Sequence, residues 1–86
     1  NIDELVSNIG STTIYNKLNS LLRNGADINN IVNNMGSDNI SDRLDTLLDH
    51  GADVNNIVKN LKNLHSHYII NNLDTLLDHG ADINVN

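Results

Sequence analysis

The sequence predicts an all-α fold, an α-solenoid of three stacked helix-turn-helix repeats. Three observations carry that expectation. The pentapeptide GADIN or GADVN recurs at 25–29, 51–55 and 80–84. Residues 31–55 align on residues 5–29 without a gap, and the third copy follows with three extra residues near 62–67. Between the pentapeptides, aliphatic side chains return at the spacing of a helix face.

The expected organisation is one repeat domain over 1–86. Repeat 1 is 1–25, repeat 2 is 26–51, repeat 3 is 52–80, and 81–86 begin a further repeat or form a tail. In repeat 1, Leu5 and Ile9 mark a short first helix; Ile14, Leu18, Leu21 and Leu22 mark the second. Repeat 2 renews the first stripe as Ile28, Ile31, Val32 and Met35. Gly36 stops that helix, and Ser37 or Asp38 is placed to cap the next. Ile40, Leu44, Leu47 and Leu48 then fall at i, i+4, i+7 and i+8, a single stripe and so a single second helix. Repeat 3 gives Ile69, Leu73, Leu76 and Leu77 in the same places.

The pentapeptide itself reads as punctuation. Gly25, Gly51 and Gly80 stand where a left-handed helix C-cap is expected, with His50 in the last turn before one of them. The Ala is a small packed residue. Asp27, Asp53 and Asp82 precede the first helices, where a carboxylate accepts from free backbone N–H groups and meets the positive end of the dipole.

"LDTLLDHGADVN" at 44–55 and "LDTLLDHGADIN" at 73–84 resemble the end of an ankyrin repeat, and "LNSLLRNGADIN" at 18–29 is a looser copy. The likeness covers about a dozen residues per unit, and an ankyrin repeat itself runs to about 33 residues with a β-turn and a Thr-Pro-Leu-His start. Here the period is shorter and Pro is absent, so the expected form is a trimmed, ankyrin-like stack without hairpin fingers. The resemblance implies a protein-binding module whose first helices line the inner face.

Composition excludes several classes. With 86 residues the chain supports one small domain, and the absence of Cys, Pro, Phe and Trp makes the core aliphatic and rules out disulfides. A net charge of −6 argues against a nucleic-acid partner, which needs clustered Lys and Arg. Apolar runs of no more than three residues exclude a membrane-spanning helix. The lack of Cys and the resemblance together point to an intracellular, cytoplasmic setting, which includes a host cell if the source is a virus or intracellular microbe.

Asn supplies 18 of the 86 residues. On the inner face the resemblance places Asn29, Asn30, Asn33 and Asn34, then Asn55, Asn56, Lys59 and Asn60 one repeat later. Stacked at constant period they form ladders of amides, which donate and accept at once and so suit an extended peptide or polar loop. The competing reading is soluble filler from a biased genome. On the second helices Asp42, Asp45 and Asp49, then Asp74 and Asp78, form a solvated acidic face or a contact for a basic partner.

The pair His65 and His67, beside Asp78 or His79, is the candidate metal set, and it lacks a third fixed ligand at diagnostic spacing. The plainer role of His65 and His67 is in a turn beside Tyr68. The sequon at Asn39 to Ser41 matters only in a secretory compartment and lies at a helix start. There is no nucleophile elbow, phosphate-binding loop or isolated titratable group, so no enzyme and no cofactor is expected. The expectation is a scaffold module binding a protein through Asn30, Asn33, Asn34, Asn56, Lys59 and Asn60. The alternative is a structural segment whose open ends stack on more repeats of a longer array or on another subunit of a homo-oligomer, since Ile83 and Val85 have no following helix to cover them.

Overall fold

The computed structural model describes residues 1–62 and 67–83, and all regular secondary structure among them is helical. The first repeat carries α1 (Ile2–Val6), α2 (Ser11–Asn16) and α3 (Leu18–Arg23). The second carries α4 (Ile28–Met35), α5 (Ser37–Asp42) and α6 (Leu44–Asp49). The third carries α7 (Val54–Lys62), α8 (His67–Asn71) and α9 (Leu73–Asp78).

Why α4 forms is readable residue by residue. Asp27 sits in extended backbone before it and accepts the N–H of Asn29 at 3.3 Å, satisfying a donor that has no partner within the helix. Ile31, Val32 and Met35 then point one way and are fully buried. Gly36 ends the helix at φ +89°. In α7, Asp53 accepts from Asn55 at 3.0 Å, and Ile57, Val58 and Leu61 are buried.

The second arm of each repeat departs from the single helix expected. It is two short helices meeting at Lys17, Arg43 and Asn72, where ψ lies at +16°, +21° and +19° in place of the helical value of about −42°. The kink keeps its hydrogen bonds on both sides in repeats 1 and 2. The N–H of Lys17 still reaches Thr13, and the Lys17 carbonyl accepts from Leu21; Arg43 does the same with Asn39 and Leu47. The apolar stripe therefore survives the bend, with Ile14, Leu18 and Leu21 all buried.

Each α3, α6 and α9 ends in the same way. Gly25 donates to Leu22 and Ala26 to Leu21, the two reverse bonds of a Schellman cap, which require a left-handed residue at Gly25 (φ +88°). Gly51 with Ala52, and Gly80 with Ala81, close the equivalent bonds. Ser37 does not act as a cap. It lies inside the first turn of α5, buried, and its hydroxyl donates to the Asn60 carbonyl of the next repeat at 3.2 Å.

Packing follows chain order. α1 lies against α4 and α4 against α7, while α2 touches both α4 and α5, and α5 touches both α7 and α8. The result is elongated, 40 × 22 × 17 Å. Its interior is one aliphatic cluster running through all three repeats, with Val6, Val32 and Ile57 among its fully buried members. Each such side chain contributes about 1.5–3 kcal/mol of burial. Ile83, expected to lie uncovered, packs partly buried against this cluster; Val85 is outside the described residues.

Candidate binding face

The row of α1, α4 and α7 is organised by side-chain amides and carboxylates that cross between repeats. Asp3 Oδ1 accepts the backbone N–H of Asp27 at 2.8 Å, Asn29 Oδ1 that of Asp53 at 2.9 Å, and Asn55 Oδ1 that of Asp82 at 2.8 Å. Asp27 and Asp53 thus serve two bonds each: the carboxylate caps the helix of its own repeat, and the N–H is held by the repeat before. The fifth letter of the pentapeptide is a clip between repeats, a role the sequence reading missed. A signal was present, because the first repeat carries Asp3, another acceptor, at the same place.

Of the six candidate residues, the structure brings Asn33, Asn56 and Asn60 together. Asn33 Oδ1 accepts from Asn56 Nδ2 at 3.0 Å and from Asn60 Nδ2 at 3.2 Å. Asn33 is exposed, and its amide nitrogen has no partner among the described residues. Asn30 and Asn34 are turned to internal work: Asn30 Nδ2 donates to the Asp3 carbonyl at 3.1 Å, and Asn34 Nδ2 to the carbonyl and Oδ1 of Asn30. Lys59 is exposed beside this network.

Two shallow grooves flank the network. One, of about 510 Å³, is lined by Asp3, Glu4, Asp27, Asn29, Asn30 and Asn33 among others. The other, of about 480 Å³, is lined by Asn55, Val58, Lys59, Lys62 and Asp82. The face therefore carries Asp3, Glu4 and Asp27 at one end and, at the other, Lys59 and Lys62 beside the single carboxylate of Asp82, with the amide network between.

On the opposite side, the Tyr15 hydroxyl donates to Asp42 Oδ2 at 2.5 Å and the Arg43 guanidinium carbon stands 4.6 Å from the Tyr15 ring centre. The bond to Asp42 raises the Tyr15 pKa above its ordinary value; desolvation adds to the rise and the Arg43 charge opposes it. Arg43 Nε is 3.9 Å from Asp42, so the three side chains tie repeat 1 to repeat 2. Asp45, Asp49, Asp74 and Asp78 are exposed to solvent.

His50 and His79 serve helix ends. His50 Nδ1 lies 2.8 Å from the Thr46 carbonyl and His79 Nδ1 2.9 Å from that of Thr75, so in each ring this nitrogen carries the proton and donates. His67 stacks tilted on Tyr68 with ring centres 4.3 Å apart, and His65 lies outside the described residues. Among the described residues no three His, Asp or Glu side chains converge as a metal set, and no helix is long and apolar enough to cross a membrane.

No family model, curated protein or solved structure matches this chain.

Proposed function

We propose that the chain is a short, ankyrin-like α-solenoid that acts as a protein-interaction module, holding an extended peptide segment along α1, α4 and α7. The observation that carries this reading is the Asn33 carboxamide. Its oxygen is pinned by Asn56 and Asn60, which orders the group, while its nitrogen is left exposed with two donors. The Oδ1 atoms of Asn56 and Asn60 accept nothing within the described fold. Donors and acceptors fixed in advance pair with a peptide backbone at little ordering cost.

Charge gives the partner its direction. Asp3, Glu4 and Asp27 favour a basic side chain at one end of the peptide; Lys59 and Lys62 favour an acidic one at the other. The role is binding, without catalysis, metal or cofactor.

The test is selection of short random peptides displayed against the chain, followed by affinity measurement on two variants. Asn33→Asp keeps the oxygen that Asn56 and Asn60 use but removes the outward donors; Lys59→Ala removes a cation that makes no internal bond. Selected peptides should carry basic and acidic residues separated by a polar stretch. Each variant should weaken them by about tenfold, or about 1.4 kcal/mol. Equal binding to wild type and both variants, or failure to select any peptide, would overturn the proposal.

A further inference from the structure

Equivalent positions are covered inside the row and bare at its ends. Ile31 and Ile57 are fully buried, whereas Leu5, in the same place of repeat 1, is 48% exposed. At the other end Leu77 is 49% exposed, while its counterparts Leu22 and Leu48 are partly buried against the core. Ile70 is 67% exposed. Its counterparts Tyr15 and Ser41 each bond to the following repeat, Tyr15 to Asp42 and Ser41 to Asn72. These three are the exposed large apolar residues among those described, and each occupies a position that a neighbouring repeat otherwise covers.

The first repeat thus presents one half of a junction and the third repeat the other half. The two internal junctions establish what fits each half, namely a repeat of the same design. We propose that a second copy of this chain stacks head to tail, the third repeat of one copy against the first repeat of the next.

Charge favours this pairing of ends. On its outer arm repeat 1 carries Lys17, Asn19 and Arg23 where repeat 2 has Arg43, Asp45 and Asp49, and repeat 3 has Asn72, Asp74 and Asp78. Within the chain, repeat 1 meets repeat 2 across a groove lined by Lys17, Arg23 and Arg43. The internal groove thus has cations on both sides; by the same geometry, stacking repeat 3 on the next copy's repeat 1 sets Asp74 and Asp78 beside Lys17. Two third repeats face to face would set Asp74 and Asp78 against their own copies. A head-to-tail contact does not close at two subunits, so the mass grows with concentration.

The test uses the full 86-residue chain in sedimentation velocity from micromolar to millimolar concentration, alone and with each end altered. Wild type should form a concentration-dependent ladder of species. Leu5→Asp and Leu77→Asp should each weaken association by at least about tenfold, with helicity by circular dichroism unchanged. Leu5→Ser and Leu77→Ser, which add no charge, should act in the same direction. Mixing Leu5→Asp with Leu77→Asp should restore a one-to-one dimer, because each retains one intact end, and raised salt should loosen it. Wild type monomeric throughout, either variant alone still dimerising, or a mixture that fails to pair would each overturn the proposal.

Discussion

The side-chain oxygen of Asn29 accepts the backbone N–H of Asp53 at 2.9 Å, so a residue at the start of one repeat holds the helix cap of the next. The same bond joins Asp3 to Asp27 and Asn55 to Asp82. Helix stop, helix start and contact between repeats are thereby compressed into five letters.

Removing one clip should be felt locally and modestly. Asn29→Ala is expected to lower stability by about 0.5–1.5 kcal/mol, the usual net worth of a hydrogen bond, read from the urea midpoint. Hydrogen exchange should quicken at the Asp53 amide while Asp27 and Asp82 keep their rates. Asn29→Asp should retain most of the stability, because Asp3 performs that role in the first repeat.

Gly51→Ala tests the cap. A Cβ at Gly51 meets nothing within 4 Å, so any loss comes from the backbone at φ +83° and not from a clash. The expected cost is about 1–2 kcal/mol, that of placing an L-residue in the left-handed region. Thermal unfolding of wild type and variant checks it.

Leu5 and Ile31 occupy one position in successive repeats but opposite environments. Ile31→Ala should cost about 2–5 kcal/mol, as buried truncations do. At concentrations where the chain is unassociated, Leu5→Ala should stay within about 0.5 kcal/mol of wild type. Chemical denaturation of the two variants side by side reads the difference.

Much of this architecture was legible in the residues. The stripe Ile40, Leu44, Leu47 records a buried face directly, because aliphatic side chains have no other reason to recur at that spacing. The kinks at Lys17, Arg43 and Asn72 were hidden, since those residues share no helix-breaking chemistry and the stripe runs through the bend intact. The Asn residues of the first helices were expected to line up along one face, but their pairing was not visible. An amide can donate inward, as Asn30 does to Asp3, or stay outside, as the Asn33 nitrogen does. Only the position of the neighbouring repeat decides between them. Ser37 misled for the same reason: a hydroxyl beside Gly36 suits a cap, and the nearby Asn60 carbonyl claimed it.

Tyr15 should titrate late. Its phenol donates to Asp42, so the protonated form is favoured in the folded chain and its pKa is raised. A raised pKa means that the folded state holds its proton longer than the unfolded state. The contribution to stability is therefore complete below the unfolded phenol value of about 10 and is lost as pH climbs through the folded value. Ultraviolet difference titration should show one late-ionising tyrosine in wild type. Tyr15→Phe should remove it, and Asp42→Ala should bring it back toward the ordinary value.

The most direct test of the functional reading is nuclear magnetic resonance of the ¹⁵N-labelled chain during titration with a selected peptide. The expected result is that the side-chain amide signals of Asn33, Asn56 and Asn60 and the backbone signal of Lys59 shift together and saturate, while those of Asp45, Asp49, Asp74 and Asp78 stay in place. Shifts confined to the outer arms, with the Asn33 amide unmoved at saturation, would contradict the account.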